Sequence, residues 1–125
     1  MSGKLSGKRI LVVEDEYFIA SDLKRALAGA EAEVVGPVGD LESGLRLAED
    51  GPLDAAVLDV NLGGVFSYPI AEKLAGASVP HLFLTGYDGW ALPDRHRDTP
   101  RVAKPFTVVT VVAEVERLCA KEEVR

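Results

Sequence analysis

Two rhythms of apolar residues alternate along the chain. Short β-branched runs read as strands: RILVVE (9–14), AEVVGPV (32–38), AAVLDV (55–60), HLFLT (81–85) and RVAK (101–104). Between the first two, Ile19, Leu23, Leu27 and Ala30 recur every three or four residues, which predicts a helix over 16–29 ending at Gly29. Asp40 is placed to cap a second helix carrying Leu41, Leu45 and Ala48, stopped by Gly51–Pro52. Ser67 and Pro69 mark the cap and first turn of a third helix, 68–76. A last helix, 107–122, gathers Val108, Val111, Val112, Val115, Leu118 and Cys119 on one face. Only GYDGWALPDRHRDTP, before the fifth strand, breaks the rhythm. Trp90, Ala91 and Leu92 are consecutive there and prolines stand at 93 and 100, so one short helical turn at most is expected.

Strands joined by helical crossovers cannot pair as hairpins, so the pattern predicts a parallel sheet covered on both faces. Its central strands must be apolar on both sides, as ILVV and AAVL are. Pro37 lacks a donor and assigns the second strand to an edge. The expected class is α/β, a doubly wound five-stranded parallel sheet with a shortened fourth helix.

At 125 residues the chain suits one domain, able to bury about two-thirds of the surface its unfolded form exposes. No apolar run approaches the roughly 20 residues of a membrane span, so no membrane association is expected. The start, MSGKLSGKRI, lacks the apolar core of a secretory signal, and residues 1–7 read as a flexible lead-in. Cys119 is the single cysteine, so no internal disulfide can form; it reads as a buried structural residue and agrees with a cytoplasmic location. The net charge of −6 argues against direct nucleic-acid binding. The only basic cluster, Arg95, His96 and Arg97, reads as a solvated loop.

In an open parallel sheet, ligands bind beyond the C-terminal ends of the strands. Those ends carry Glu14 and Asp15 after the first strand, Asp59 at the third, Thr85 at the fourth and Lys104 at the fifth. Three close carboxylates repel unless a cation joins them, and all-oxygen ligands suit Mg2+. The alternative for Glu14 and Glu16 is an acid favoured near a helix N-terminus, and Glu16 is assigned that role. Asp59 resists such a reading, because an unpaired charge beside AAVL is costly. Thr85 and Lys104 are unremarkable singly; the constellation is what is specific.

VVEDE, VLDVNLGG, LFLTGYD and VAKPF resemble the four sequence blocks of the receiver domain of two-component response regulators, the CheY-like superfamily, over residues 8–122. The resemblance implies a flavodoxin-like (βα)5 fold with strand order 2-1-3-4-5. It implies that Asp59 accepts a phosphoryl group from a sensor histidine kinase or a histidine phosphotransfer protein. Asp15, Asp59 and the backbone carbonyl of Asn61 would bind Mg2+ directly, with Glu14 acting through water. Lys104 would neutralise a phosphoryl oxygen, the Thr85 hydroxyl would sense the phosphoryl group, Gly86 would leave room beside it, and Lys104–Pro105 would be cis.

The departures from the family pattern matter as much. Glu14 replaces the commoner Asp, and Arg101 stands where most receivers carry a switching Tyr or Phe. Lys104 comes only nineteen positions after Thr85, with two prolines in the irregular stretch between them. These traits resemble an atypical receiver group named for a Phe-Ala-Thr-Gly-x-Tyr sequence; here Phe83, Thr85 and Gly86 match, Leu84 replaces Ala, and Tyr87 comes one position early. The expectation is that phosphorylation reorders the 86–100 loop instead of rotating an aromatic, with Thr85 and Arg101 as switch residues. Met1 and a short polar end suggest a stand-alone receiver, monomeric or weakly dimeric, with an unidentified protein target. Three rival readings are a module excised from a hybrid kinase, a receiver that takes no phosphate, and a Mg2+-dependent aspartate-nucleophile phosphatase. The phosphatase would want a second Asp at position 61, where Asn61 stands.

Overall fold

The computed structural model describes residues 3–86 and 92–124, the side chains of 121–124 excepted. Its elements run β1 (Arg9–Val13), α1 (Tyr17–Gly29), β2 (Glu33–Val38), α2 (Leu41–Glu49), β3 (Ala55–Asp59), β4 (Asn61–Leu62), β5 (Val65–Phe66), α3 (Tyr68–Gly76), β6 (His81–Thr85), β7 (Arg101–Ala103) and α4 (Val108–Val124). Five strands form one parallel sheet in the order β2-β1-β3-β6-β7. Setting aside the β4–β5 hairpin, this is the expected order 2-1-3-4-5 of the flavodoxin-like fold, with Pro37 on an edge strand. Among the described residues no helix is long and apolar enough to cross a membrane.

Strand side chains alternate between two faces, so each central strand feeds two cores. Ile10 and Val12, Ala55 and Val57, Leu82 and Leu84 face one way and meet Leu23, Leu27, Val111, Val115 and Leu118. Leu11 and Val13, Ala56 and Leu58, and Phe83 face the other way and meet Ile70, Ala71 and Leu74, with Leu41 and Leu45 at the margin. Burial on both faces is why β1 and β3 are unbroken apolar runs. Cys119 lies buried in the first core, as its stripe predicted.

Helix ends follow the expected chemistry with one exception. Asp40 caps α2 by accepting from Ser43 N at 2.9 Å. Ser67 occupies the capping position of α3, but its side chain makes no capping bond and its buried Oγ has no hydrogen-bond partner. Its backbone is already used in the preceding turn, where Ser67 N donates to Val60 O at 2.9 Å.

Three local expectations are corrected. The described part of the lead-in, residues 3–7, is a docked turn: Gly3 N and Gly7 N both bind Glu31, and Leu5 is fully buried in the first core. A lone leucine among Gly, Lys and Ser has no periodicity to announce it, so burial came from the core it completes. A two-stranded antiparallel hairpin, β4–β5, follows β3 where no element was expected. Finally, the basic cluster Arg95, His96 and Arg97 is not a wholly solvated loop. Asp94–His96 form one 3-10 turn, which bonds His96 N to Pro93 O and turns the imidazole inward to 5% exposure.

His96 stacks on Tyr68 (centroids 4.9 Å, planes 17° apart) and meets the Phe83 edge at 5.5 Å. Arg95 stays outside, donating to Glu72 at 2.6 Å. Burial, with the nearby Arg95 charge, lowers the His96 pKa against the opposing pull of Glu72, so the ring packs as a neutral aromatic. Trp90 and Ala91, on which the shortened fourth helix partly depends, lie outside the described residues.

Truncating Leu5 tests whether the N-terminal turn is part of the core. Leu5→Ala is expected to cost about 2–5 kcal/mol in denaturant unfolding, whereas a solvated lead-in would register no change.

Candidate functional site

The site arises from register. Val13 of β1 lies opposite Leu58 of β3, so the next residues, Glu14 and Asp59, emerge side by side. Asp59 lies opposite Leu84 of β6, which brings Thr85 one step beyond it, and Thr85 lies opposite Ala103 of β7, which brings Lys104. Parallel pairing thus delivers four strand ends to one edge. Glu14 is 2% exposed and Asp59 5% exposed, while Asp15 points outward. Oxygens of the three carboxylates all lie within 4.8 Å of one another.

One ammonium group balances them. Lys104 Nζ lies 3.0 Å from Asp59 Oδ2 and 3.4 Å from Glu14 Oε1. Its backbone is fixed too, since Lys104 N donates to Thr85 O at 2.7 Å and the following Lys104–Pro105 bond is cis, as expected. The remaining carboxylate oxygens take backbone donors: Glu16 N to Glu14 Oε2 at 3.0 Å and Asn61 N to Asp59 Oδ1 at 3.2 Å.

Burial pushes Glu14 up to about 7, the Asp59 carboxylate adding to it, against the Glu16 N–H and the Lys104 charge. Asp15 is raised by its partial burial and then by Asp59. Burial pulls Lys104 down, but its hydrogen bond and charge pairing with Asp59, and then Glu14, outweigh that and leave it raised. Glu14 Oε1 is buried without a hydrogen bond. An all-oxygen donor set with excess negative charge and an unsatisfied buried oxygen fits a small hard cation such as Mg2+.

The remaining candidates fall into place around this centre. Thr85 is buried at the end of β6. Glu16 sits at the N-cap of α1, and its carbonyl accepts from Ala20 N. Asn61 joins by its backbone N–H, while its side-chain Oδ1 accepts from Gly64 N at 2.6 Å. Arg101 stands apart from the acids. It lies opposite Phe83 and donates to Arg97 O at 2.7 Å, tying β7 to the turn before it. Tyr87 lies outside the described residues.

Sequence reasoning missed the hairpin that starts at Asn61. Gly63 and Gly64, at φ +66° and +101°, form a two-residue connection in the left-handed region. Gly-Gly flanked by Leu62 and Val65 was the available signal, hidden because each strand is only two residues long.

The raised Glu14 carboxyl gives a signed pH test in chelator. A group raised in the folded state stabilises fully below its unfolded value, here 4.5, and that stability is lost as pH rises through about 7. Glu14→Gln is therefore expected to gain stability relative to wild type progressively across that window, read by urea unfolding; a pH-independent difference would contradict the assignment.

No protein-family model matches the chain. In structure it is similar to SdrG from Sphingomonas melonis Fr1, at 42% identity and TM-score 0.78 over 90% of this chain and 96% of that one. It superposes on a CheY-like response regulator receiver domain protein from Methanospirillum hungatei with TM-score 0.81, covering 96% of this chain and all of that one, where 22% identity carries the fold alone. In sequence it is 40% identical over 128 residues to the transcriptional regulatory protein TcrA of Mycobacterium tuberculosis, covering 93% of this chain and 47% of TcrA. The chain spans about half the length of the curated relatives it matches. With this fold, these acids and these likenesses together, the chain belongs to the response regulator receiver family of two-component systems.

Proposed function

We propose that the protein is a phosphoacceptor receiver in which Asp59 takes a phosphoryl group from a phosphohistidine, with Mg2+ as cofactor. One observation carries this reading: Asp59, 5% exposed, is held 3.0 Å from Lys104 Nζ with two further carboxylates beside it. Phosphoryl transfer asks little covalent chemistry of a protein beyond positioning and charge neutralisation. Asp15, Asp59 and the Asn61 carbonyl would hold the ion and Glu14 would support it. When bound, Mg2+ supplies charge neutralisation for carboxylate and phosphoryl oxygens.

In this reading an Asp59 carboxylate oxygen attacks phosphorus, the P–N bond breaks, and the donor histidine leaves as an imidazole that takes a proton. Lys104 exchanges part of its pairing with Asp59 for a phosphoryl oxygen. The Thr85 hydroxyl donates to another oxygen once the phosphoryl group is present, which makes it the sensor. Arg101 leaves no aromatic to rotate on β7, so the response is assigned to the loop over 86–100, of which 87–91 lie outside the described residues.

The donor is a sensor histidine kinase or a histidine phosphotransfer protein. An open groove of about 490 Å³ beside Lys104, lined by Ile19, Phe106 and Val108 and edged by Glu16 and Asp22, supports a protein donor over a small phosphomonoester. A stand-alone cytoplasmic receiver acting through phosphorylation-dependent protein binding or onward phosphotransfer is our reading, supported by the SdrG likeness over 96% of that chain. Membership of the Phe-Ala-Thr-Gly-x-Tyr group belongs to the same reading. Phosphatase turnover is disfavoured because Asn61 cannot protonate a leaving group and its Oδ1 is engaged by Gly64.

Incubation with acetyl phosphate and Mg2+, followed by intact-mass analysis, is expected to add one labile phosphoryl group that is absent in Asp59→Asn and in chelator. Multiple turnover of a phosphomonoester without a phosphoprotein would overturn the reading.

A further inference from the structure

Directly after Asp59 the chain makes a hairpin whose far strand ends in an aromatic stack, and that stack reaches the 3-10 turn Asp94–His96 before β7. Asn61 N donates to Asp59 Oδ1 at 3.2 Å, so the hairpin's first residue feels the charge on that carboxylate. Asn61 lies opposite Phe66 across the two-residue ladder, and its side chain also closes the Gly63–Gly64 turn through Gly64 N at 2.6 Å. These bonds make β4–β5 a short stiff clip, anchored at both ends by Val60 N to Leu84 O and Ser67 N to Val60 O.

From Phe66 three rings lie nearly parallel. Phe66 stacks on Tyr68 with centroids 5.3 Å apart and planes at 18°, and Tyr68 stacks on His96 at 4.9 Å and 17°. Phe83 of β6 meets both Tyr68 and His96 edge-on, at 5.9 and 5.5 Å, and forms a fixed wall behind them. The outer plate, Phe66, is 53% exposed, whereas His96 is buried. The attachment of His96 is a packing attachment: its Nε2 makes no hydrogen bond and stands 3.6 Å from Glu72 Oε2. Among the described residues this turn is also tied to α3 by the exposed Arg95–Glu72 pair, of a kind that contributes little, and by the Arg95 guanidinium over the Tyr68 ring, 5.9 Å from its centroid, a contact that itself runs through the stack. The turn at 94–97 therefore depends on where the stack stands.

We propose that the β4–β5 hairpin and the Phe66–Tyr68–His96 stack transmit the phosphorylation state of Asp59 to residues 92–100. Conversion of the Asp59 carboxylate to an acyl phosphate redistributes its charge and alters the acceptor that Asn61 N binds; the clip moves as a unit, Phe66 shifts the plates, and His96 carries the 3-10 turn with it. The stack thus reaches the same turn that Arg101 on β7 holds through the Arg97 carbonyl. This inference rests on the receiver reading above and assigns the residues that carry its conformational response.

The test is NMR of the full chain with Mg2+, with and without beryllofluoride as phosphoryl mimic, in wild type, Phe66→Ala and Phe66→Leu. Far-UV circular dichroism establishes that each variant folds. The Thr85 amide reports loading of the site, and the His96 ring and the 94–99 amides report the response. In wild type both sets are expected to shift. In Phe66→Ala the Thr85 shift is expected to persist while the His96 and 94–99 shifts fall to less than half, with Phe66→Leu intermediate. Wild-type movement at Thr85 with none at His96, or full-size His96 shifts in Phe66→Ala, would overturn the relay and leave the receiver reading standing. A wild-type Thr85 that does not respond would overturn both.

Discussion

Two carboxylates held out of water within reach of one ammonium group set the terms for this molecule. Glu14 and Asp59 are nearly inaccessible, and Lys104 stands 3.0 to 3.4 Å from them. At an effective dielectric of 20, unit charges 4 Å apart interact by about 4 kcal/mol, so the acids repel strongly unless a cation lies between them. One lysine cannot neutralise three acids, and burial, with the Asp59 carboxylate adding to it, leaves the Glu14 carboxyl raised. The rest of the fold exists, from the site's point of view, to bring these groups together and keep water away. Parallel register does the first, and two apolar cores on opposite faces of the sheet do the second.

The architecture was legible because its apolar patterning is strong. The unbroken apolar runs ILVV and AAVL and the three-four spacing of Ile19, Leu23 and Leu27 are consequences of burial, and burial is what the chain encodes most redundantly. The strand-end acids were legible for a related reason: an Asp closing a wholly buried strand has few structural uses. Proline at 37 placed β2 at an edge because a missing donor leaves few other positions.

What escaped the sequence shares a different property. Leu5 is one residue filling one gap, the β4–β5 hairpin is two residues per strand, and His96 is a polar letter playing an aromatic part. None has the repetition that makes a pattern. His96 is instructive, because its neighbours Arg95 and Arg97 are exposed and ion-paired as a polar loop should be. A 3-10 turn rotates the residue between them inward, and the ring then costs little to bury because it stays neutral against Tyr68 and Phe83. Local turn geometry of this kind is decided by what the segment packs on, so the linear sequence holds no separate record of it.

If a divalent cation completes the acid cluster, as we propose, the ion stabilises the folded protein. The direct measurement is the thermal unfolding midpoint as Mg2+ is raised at constant ionic strength, in wild type and Asp15→Asn. Binding to the folded state alone stabilises by about 2.7 kcal/mol at one hundred times the dissociation constant. Cation binding at this cluster predicts a saturable rise in wild type that Asp15→Asn weakens strongly. A midpoint that ignores Mg2+, or rises equally in both proteins, would contradict it.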